Sequence, residues 1–281
     1  MKNQTKIFIL IVICLSFLMG IYAPANAKEY ESKVDEVLDR GYLIMGTTSA
    51  APPFGFIDKK TGELVGFDID IGKLLAKAIF KDETKIEFVK QSFEARWASV
   101  QTGKVDFGIQ VTTIYPERAL KVAFTRRYID SGIGMIVKAD SPINHLEDLN
   151  NEKYKLANLN NPQMAERAKR FVPKAKVLTF SSFADQFMAL QTGRADAAQM
   201  DTPTLMWYGK QYPGKFKMLP ELVSELSNNA IFLRKGDFQW WLTLDTIVGE
   251  MLGGTLYKDY KEIYQKWFGQ DPPQQRWYLN K

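Results

Sequence analysis

One seven-residue pattern occurs twice and sets the architecture. Val100-Gln101-Thr102-Gly103-Lys104-Val105-Asp106 returns as Leu190-Gln191-Thr192-Gly193-Arg194-Ala195-Asp196. In each copy a helical stretch ends at glycine, the residue that most readily closes a helix in the left-handed conformation. A basic residue and an acid follow, and an apolar run begins. Helix–glycine–strand junctions can resemble one another by chance. Two matched copies in one chain nevertheless predict two similar α/β units, each presenting one strand end to a shared cleft.

The spacing of apolar residues around each copy fits that plan. Residues 42–46 and 86–89 predict strands, and Ile71, Leu74, Leu75, Ala78 and Ile79 recur on one face of a helix between them. Phe93 precedes a helix carrying Trp97 and Val100. Residues 105–111 predict a buried strand. Beyond a strand at 133–137, a second series alternates strands at 155–158, 175–178 and 195–200 with helices ending near Phe171 and Leu190. Such alternation predicts βαβ units and a parallel sheet. A strand at 229–233 and amphipathic stretches at 238–252 and 257–268 close the chain.

The first 27 residues read as a secretory signal. Lys2 and Lys6 precede an apolar run, and Ala25-Asn26-Ala27 offers a cleavage site after Ala27. The chain's one cysteine, Cys14, lies inside this segment behind Ile13, too large a neighbour for a lipoprotein signal. The expected mature chain therefore has no disulfide and relies on its core, which about 250 residues can supply. Losing two lysines lowers the formal net charge from +5 to +3. No basic block suggests nucleic acid.

The chemistry-bearing residues cluster behind the two copies. After residues 105–111 come Thr112 and Thr113, then Pro116, which suits a first helical turn, and Arg118. Hydroxyls, turn N–H groups and a planar guanidinium at a strand end form a carboxylate receptor. A surface arginine after an ordinary turn would read the same in sequence. Behind the second copy stands Asp201. Arginine for a carboxylate and aspartate for an ammonium together describe an α-amino acid. His145 has no companion for a metal or catalytic pair.

In this order the motifs resemble the polar amino-acid solute-binding proteins of ABC importers, the bacterial extracellular solute-binding protein family 3. They are Pro52-Pro53-Phe54, Gly66-Phe67-Asp68-Ile69-Asp70, residues 101–106, Thr113 with Pro116-Glu117-Arg118, Tyr128 with Ser131-Gly132, residues 193–196, Asp201, and Lys266-Trp267-Phe268-Gly269. The resemblance spans nearly all of the mature chain. It implies an α/β, two-lobed type II periplasmic-binding-protein fold whose two crossover strands form a hinge. Lobe 1 would comprise residues 28–132 plus 231–281, and lobe 2 residues 133–230. It also implies that Arg118 grips an α-carboxylate, helped by Thr113, that Asp201 takes an α-ammonium, that Val111 offers it a carbonyl, and that Phe93 covers the ligand. Thr112, Arg96, Ser49 and Gln163 complete the expected ligand set.

Departures from the family pattern concern the ligand's side chain. Ala51 stands where many members carry an aromatic, and Thr48 where they often carry an acid. Asn160-Asn161-Pro162-Gln163 replaces a Gly-Thr-Thr-like loop. These changes argue against a cationic side chain, and Arg96 with Thr112-Thr113 is similar to the glutamate/aspartate branch. An acidic or amide side chain is favoured. The expected protein is a non-catalytic periplasmic monomer without cofactors, delivering an amino acid to the membrane permease of an ABC importer. Two other readings stay open, a periplasmic cyclohexadienyl dehydratase-like enzyme and a sensor input protein of the same fold.

Overall fold

The computed structural model describes residues 29–224 and 228–273. The expected signal segment and its cleavage site lie outside them. The chain opens with α1 (Lys33–Arg40), β1 (Leu43–Thr47) and a small antiparallel sheet of β2 (Ala50–Ala51), β3 (Gly55–Ile57) and β4 (Leu64–Val65). It continues through α2 (Phe67–Phe80), β5 (Ile86–Lys90), α3 (Arg96–Gln101), β6 (Phe107–Gly108), α4 (Pro116–Ala119) and β7 (Ala123–Ile129). Next come β8 (Ile133–Lys138), α5 (Leu146–Leu149), β9 (Lys155–Leu159), α6 (Pro162–Phe171), β10 (Lys176–Phe180), α7 (Phe183–Gln191), β11 (Ala197–Asp201), α8 (Thr202–Gln211) and β12 (Phe216–Met218). The last elements are β13 (Asn229–Leu233), α9 (Phe238–Gly253) and α10 (Tyr257–Phe268).

Two five-stranded sheets follow the same plan. Their orders are β5-β1-β6-β13-β7 and β10-β9-β11-β8-β12. In each, three parallel strands come first and an antiparallel strand, β13 or β8, lies beside the third. The sheets are therefore mixed, where strand–helix alternation alone predicts parallel ones. The chain passes to the second sheet between Ile129 and Ile133 and returns before Asn229. Asn229 and Ala230 pair with Ile129 and Arg127 in the first sheet.

The two sequence copies adopt matching geometry. Gly103 and Gly193 both have φ of 76°. Thr102 and Thr192 each donate an Oγ1 hydrogen bond of 2.8 Å to the carbonyl four residues back. Glycine avoids the Cβ clash that this left-handed closure imposes on other residues.

The apolar run 105–111 departs from expectation. It is buried throughout, but only Phe107–Gly108 forms ladder pairs. The Phe232 ring lies so close that a Cβ on Gly108 would meet it at 2.1 Å. Beyond Gly108 the backbone turns away, and Val111 takes φ of 44°, a strained conformation for a β-branched residue. Strand β7 lies at the sheet edge. Its outer groups are taken by helix side chains: Trp241 Nε1 donates to the Phe124 carbonyl, Asp245 Oδ1 accepts from the Arg126 N–H, and the Tyr260 hydroxyl donates to the Tyr128 carbonyl.

The C-terminal helix returns to the first sheet. Phe67 packs against Phe268 and Tyr264 at ring distances of 5.0 and 5.9 Å. Lys266 Nζ and Trp267 Nε1 both reach Asp70, at 2.6 and 2.7 Å. Trp240 and Trp241 on α9 pack against the first sheet, donating their ring N–H groups to the Asp106 and Phe124 carbonyls. His145 forms an exposed pair with Glu221 at 2.7 Å.

Candidate functional site

The segments that follow β6 and the end of β11 converge on one small cavity. Phe93, Arg96, Val111, Thr113 and Arg118 line it from the first-sheet side. Gln163, Arg167 and Asp201 line it from the second. Arg118 and Asp201 are 8% and 3% exposed, so both charges sit out of bulk water.

Arg118 is set by the turn that follows β6. Its Nη1 donates to the Thr113 carbonyl at 2.8 Å, and its Nη2 to Gln163 Oε1 at 3.0 Å. Gln163 Nε2 donates in turn to Glu117 Oε1 at 2.6 Å. A side chain of the second-sheet side thereby bridges two neighbours on α4. Burial pulls the Arg118 guanidinium below its usual value, against the pull of Tyr115 and Glu117.

Asp201 ends β11, opposite Ile133 in the register. The Ser131 hydroxyl donates to its Oδ1 at 3.3 Å. Burial raises its carboxyl to about 6, and the neighbouring Asn229, Arg167, Ser131 and Arg118 limit the rise. Among the described residues it is the one carboxylate lining the cavity.

Arg96 is buried with its guanidinium carbon 4.4 Å from the Trp97 ring centre and 5.3 Å from that of Phe93. Burial, with Arg118 nearby, lowers it to about 9, which leaves it cationic at neutral pH. Its Nε is buried without a hydrogen-bond partner. Phe93 meets Phe183 across the cavity at 5.5 Å.

Two expected ligand residues stand elsewhere. Thr112 is fully buried behind the wall. Its Oγ1 donates to the Gln110 carbonyl at 2.8 Å and accepts from Arg96 Nη1 at 3.3 Å, so it orients Arg96. Ser49 is half-buried in the loop before β2, outside the lining, with its carbonyl accepting from the Ile57 N–H. The Val111 turn brings Thr113 to the cavity and leaves Thr112 facing inward.

Three contributors, Asp68, Arg167 and Tyr115, fall outside the expected ligand set. Asp68 supports the strained turn: its Oδ2 accepts from the Val111 N–H at 3.2 Å and its Oδ1 from the Tyr128 hydroxyl at 2.7 Å. Burial raises this carboxyl to about 7. Arg167 and Tyr115 hydrogen-bond to each other across the cleft. Arg167 lies four residues beyond Gln163 on α6, and that one-face spacing is the signal that could have found it.

A larger open groove runs between Phe124, Trp241 and Tyr257. Its Arg126 and Asp245 pair with one another at 2.6 Å, so they are not left to converge on a ligand.

The model of the bacterial extracellular solute-binding proteins, family 3, matches residues 43–270. The chain belongs to this family. A glutamine-binding protein of Geobacillus stearothermophilus is 32% identical over 243 residues, covering 80% of this chain and 92% of that one. The ABC transporter glutamine-binding protein GlnH of Bacillus subtilis is 28% identical over 267 residues, covering 95% and 96%. The crystal structure of an ancestral amino acid-binding protein, AncCDT-1, described as a precursor of cyclohexadienyl dehydratase, matches with a TM-score of 0.75 and 35% identity. That match spans 84% of this chain and 100% of that one. The fold is thus the two-lobed type II fold of periplasmic amino-acid-binding proteins. As a family 3 member, the protein is an amino-acid-binding component of an ABC transporter.

Proposed function

We propose that this protein captures a polar L-amino acid, with an acidic or amide side chain, between lobes of residues 28–132 plus 231–281 and 133–230. The crossovers between them act as a hinge. Closure buries the ligand, and the closed form delivers it to the permease of an ABC importer. Arg118 and the Thr113 region hold the α-carboxylate, Asp201 the α-ammonium, and Phe93 covers the ligand. The protein acts outside the cytoplasmic membrane as a monomer, after cleavage behind Ala27.

One observation carries this reading. Arg118, on α4 beyond the turn that follows β6, and Asp201, the last residue of β11, line one cavity. A buried cation and a buried anion in one closed space match the two ends of a zwitterion. Binding without turnover is favoured because Asp201, the cavity's carboxylate, is occupied by the ammonium, while Glu166 is exposed on α6. The test is a thermal-shift screen of the mature protein against the twenty amino acids plus cystine, followed by calorimetry. A ligand bound by the folded form raises the melting temperature by mass action. The reading expects a shift with at least one polar amino acid that Asp201→Ala abolishes. Micromolar binding by Arg118→Ala, or turnover of prephenate or arogenate, would overturn it.

A further inference from the structure

We propose that Asp68, which lies behind the cleft wall and lines no part of the cavity, is a positioning residue for ligand binding: it holds the Val111 turn, and through that turn it aims Thr113 and Arg118 at the ligand. This rests on the reading of the cleft as an amino-acid site and adds to it a residue that does not touch the ligand.

Val111 has φ of 44°, a conformation that a β-branched residue holds only where its surroundings impose it. On one side of it, the Gln110 carbonyl accepts from Thr112 Oγ1 at 2.8 Å and from Arg96 Nη1 at 3.4 Å. On the other, the Thr112 carbonyl accepts from the Ala230 N–H at 3.0 Å. The N–H of Val111 itself goes to Asp68 Oδ2 at 3.2 Å. Removing that acceptor leaves a buried, unpaired donor at the strained residue. The turn then relaxes toward ordinary extended backbone, in which neighbouring residues point to opposite sides. Thr113 would turn away from the cavity. Arg118, whose Nη1 donates to the Thr113 carbonyl at 2.8 Å, would lose the contact that aims it.

Asp68 is itself held firmly enough to do this. It is fully buried at the start of α2, where its N–H donates to the Phe54 carbonyl at 2.8 Å. Its Oδ1 accepts from the Tyr128 hydroxyl at 2.7 Å. Tyr128 is fully buried too. Its ring lies 6.1 Å from that of Phe67, and its carbonyl accepts from the Tyr260 hydroxyl at 2.8 Å. The carboxyl is therefore fixed from α2, β7 and α10, elements that contribute no residue to the cavity lining. Burial pushes this carboxyl up to about 7, so near neutrality it is partly protonated. Either form offers an oxygen to the Val111 N–H. Asp68 thus works as a placed acceptor rather than as a charge, and a neutral carboxamide should replace it.

The experiment is calorimetry on the mature protein, freed of co-purified ligand, with L-glutamate, L-aspartate, L-glutamine and L-asparagine as probes. It is run at a temperature where thermal melts show each variant folded. Against the tightest probe, Asp68→Ala should weaken binding by about tenfold or more. Asp68→Asn, which keeps an acceptor for the Val111 N–H and offers a donor to the Tyr128 oxygen, should stay within about threefold of wild type. Asp106→Ala is the control for lost stability alone. It removes another buried aspartate at the far end of the 105–111 run and should leave affinity within about threefold. Should Asp68→Ala not fold, Tyr128→Phe, which removes the hydroxyl that fixes Asp68 Oδ1, should still weaken the probe by about threefold or more. Unchanged affinity in folded Asp68→Ala, or in Tyr128→Phe where the alanine variant does not fold, overturns the proposal and leaves the amino-acid reading intact. So does a loss in Asp68→Asn or Asp106→Ala as large as that in Asp68→Ala. If wild type binds none of the four probes, both fall.

Discussion

Asp106 and Asp196 make the same contact in the two halves of the molecule. The Asp106 N–H donates to the Ile44 carbonyl at 2.9 Å, and the Ile44 N–H donates to Asp106 Oδ2 at 2.7 Å. The Asp196 N–H donates to the Lys155 carbonyl, and the Lys155 N–H to Asp196 Oδ2, both at 2.8 Å. Each acid ties the residues just before β6 or β11 to the middle one of the three parallel strands of its own sheet, β1 or β9. The settings differ: Asp106 is buried and also paired with Arg40, whereas Asp196 is half-buried. Asp106→Ala should therefore lower stability by about 2–3 kcal/mol, and Asp196→Ala by about 1, because a buried backbone donor loses its acceptor only in the first case. Urea unfolding of the two variants measures this, and equal losses would count against burial as the cause.

Gln163 is the second test. It accepts from Arg118 and donates to Glu117, so one amide ties the second-sheet side to α4. Gln163→Ala removes both bonds without disturbing the Asn161 cap, whose Oδ1 accepts from backbone N–H groups at 163 and 164. The ligand-free variant should open further than wild type. Solution X-ray scattering should show a larger radius of gyration without ligand and convergence with wild type at saturating ligand. An unchanged ligand-free radius would mean that this contact does not bias the hinge.

Much of this was legible in the sequence because the relevant signals are local. The repeated glycine junction marks equivalent strand starts, and it led to Arg118 and Asp201 without any knowledge of how the sheets pair. The buried strands β8 and β13 are continuous apolar runs. Strand β7 escaped notice because AFTRRYI carries two arginines, and its edge is covered by helices remote in sequence. The sequence predicts a longer β6 than forms because Val105, Phe107, Ile109 and Val111 are buried whether or not they pair. Thr112 and Thr113 are neighbours of one chemistry, and only the Val111 turn decides which of them reaches the cavity. Arg167 sits among the basic residues of an amphipathic helix, and its role depends on the facing Tyr115.

Gly108 tests the close approach of β6 and β13. Phe232 is fully buried, lies 5.3 Å from the Trp97 ring, and fills the space where a Cβ on residue 108 would project. Gly108→Ala should destabilise the protein by about 1–3 kcal/mol through overpacking. Phe232→Leu in the same chain should recover part of that loss, since the two sites share one contact. Additive effects in a double-mutant cycle would refute the clash.

The pH dependence should separate folding from binding. Burial raises Asp201 to about 6 and Asp68 to about 7, so both carboxyls hold a proton more tightly in the folded than in the unfolded chain. Their contribution to the stability of the ligand-free protein is therefore full below the ordinary carboxylate value and lost as pH rises through about 6 to 7. Binding runs the other way. The ligand ammonium needs ionised Asp201, so affinity should fall below about pH 6, approaching a tenfold loss for each further unit. Between pH 7.5 and 5, these two groups should push the melting temperature of the free protein upward while the ligand-induced increase shrinks. Asp201→Asn should bind weakly at every pH and lose most of the dependence, because the residue that titrates against the ligand is gone. Calorimetry across this range decides the matter: an affinity that stays flat down to pH 5 in wild type would remove Asp201 as the ammonium's partner.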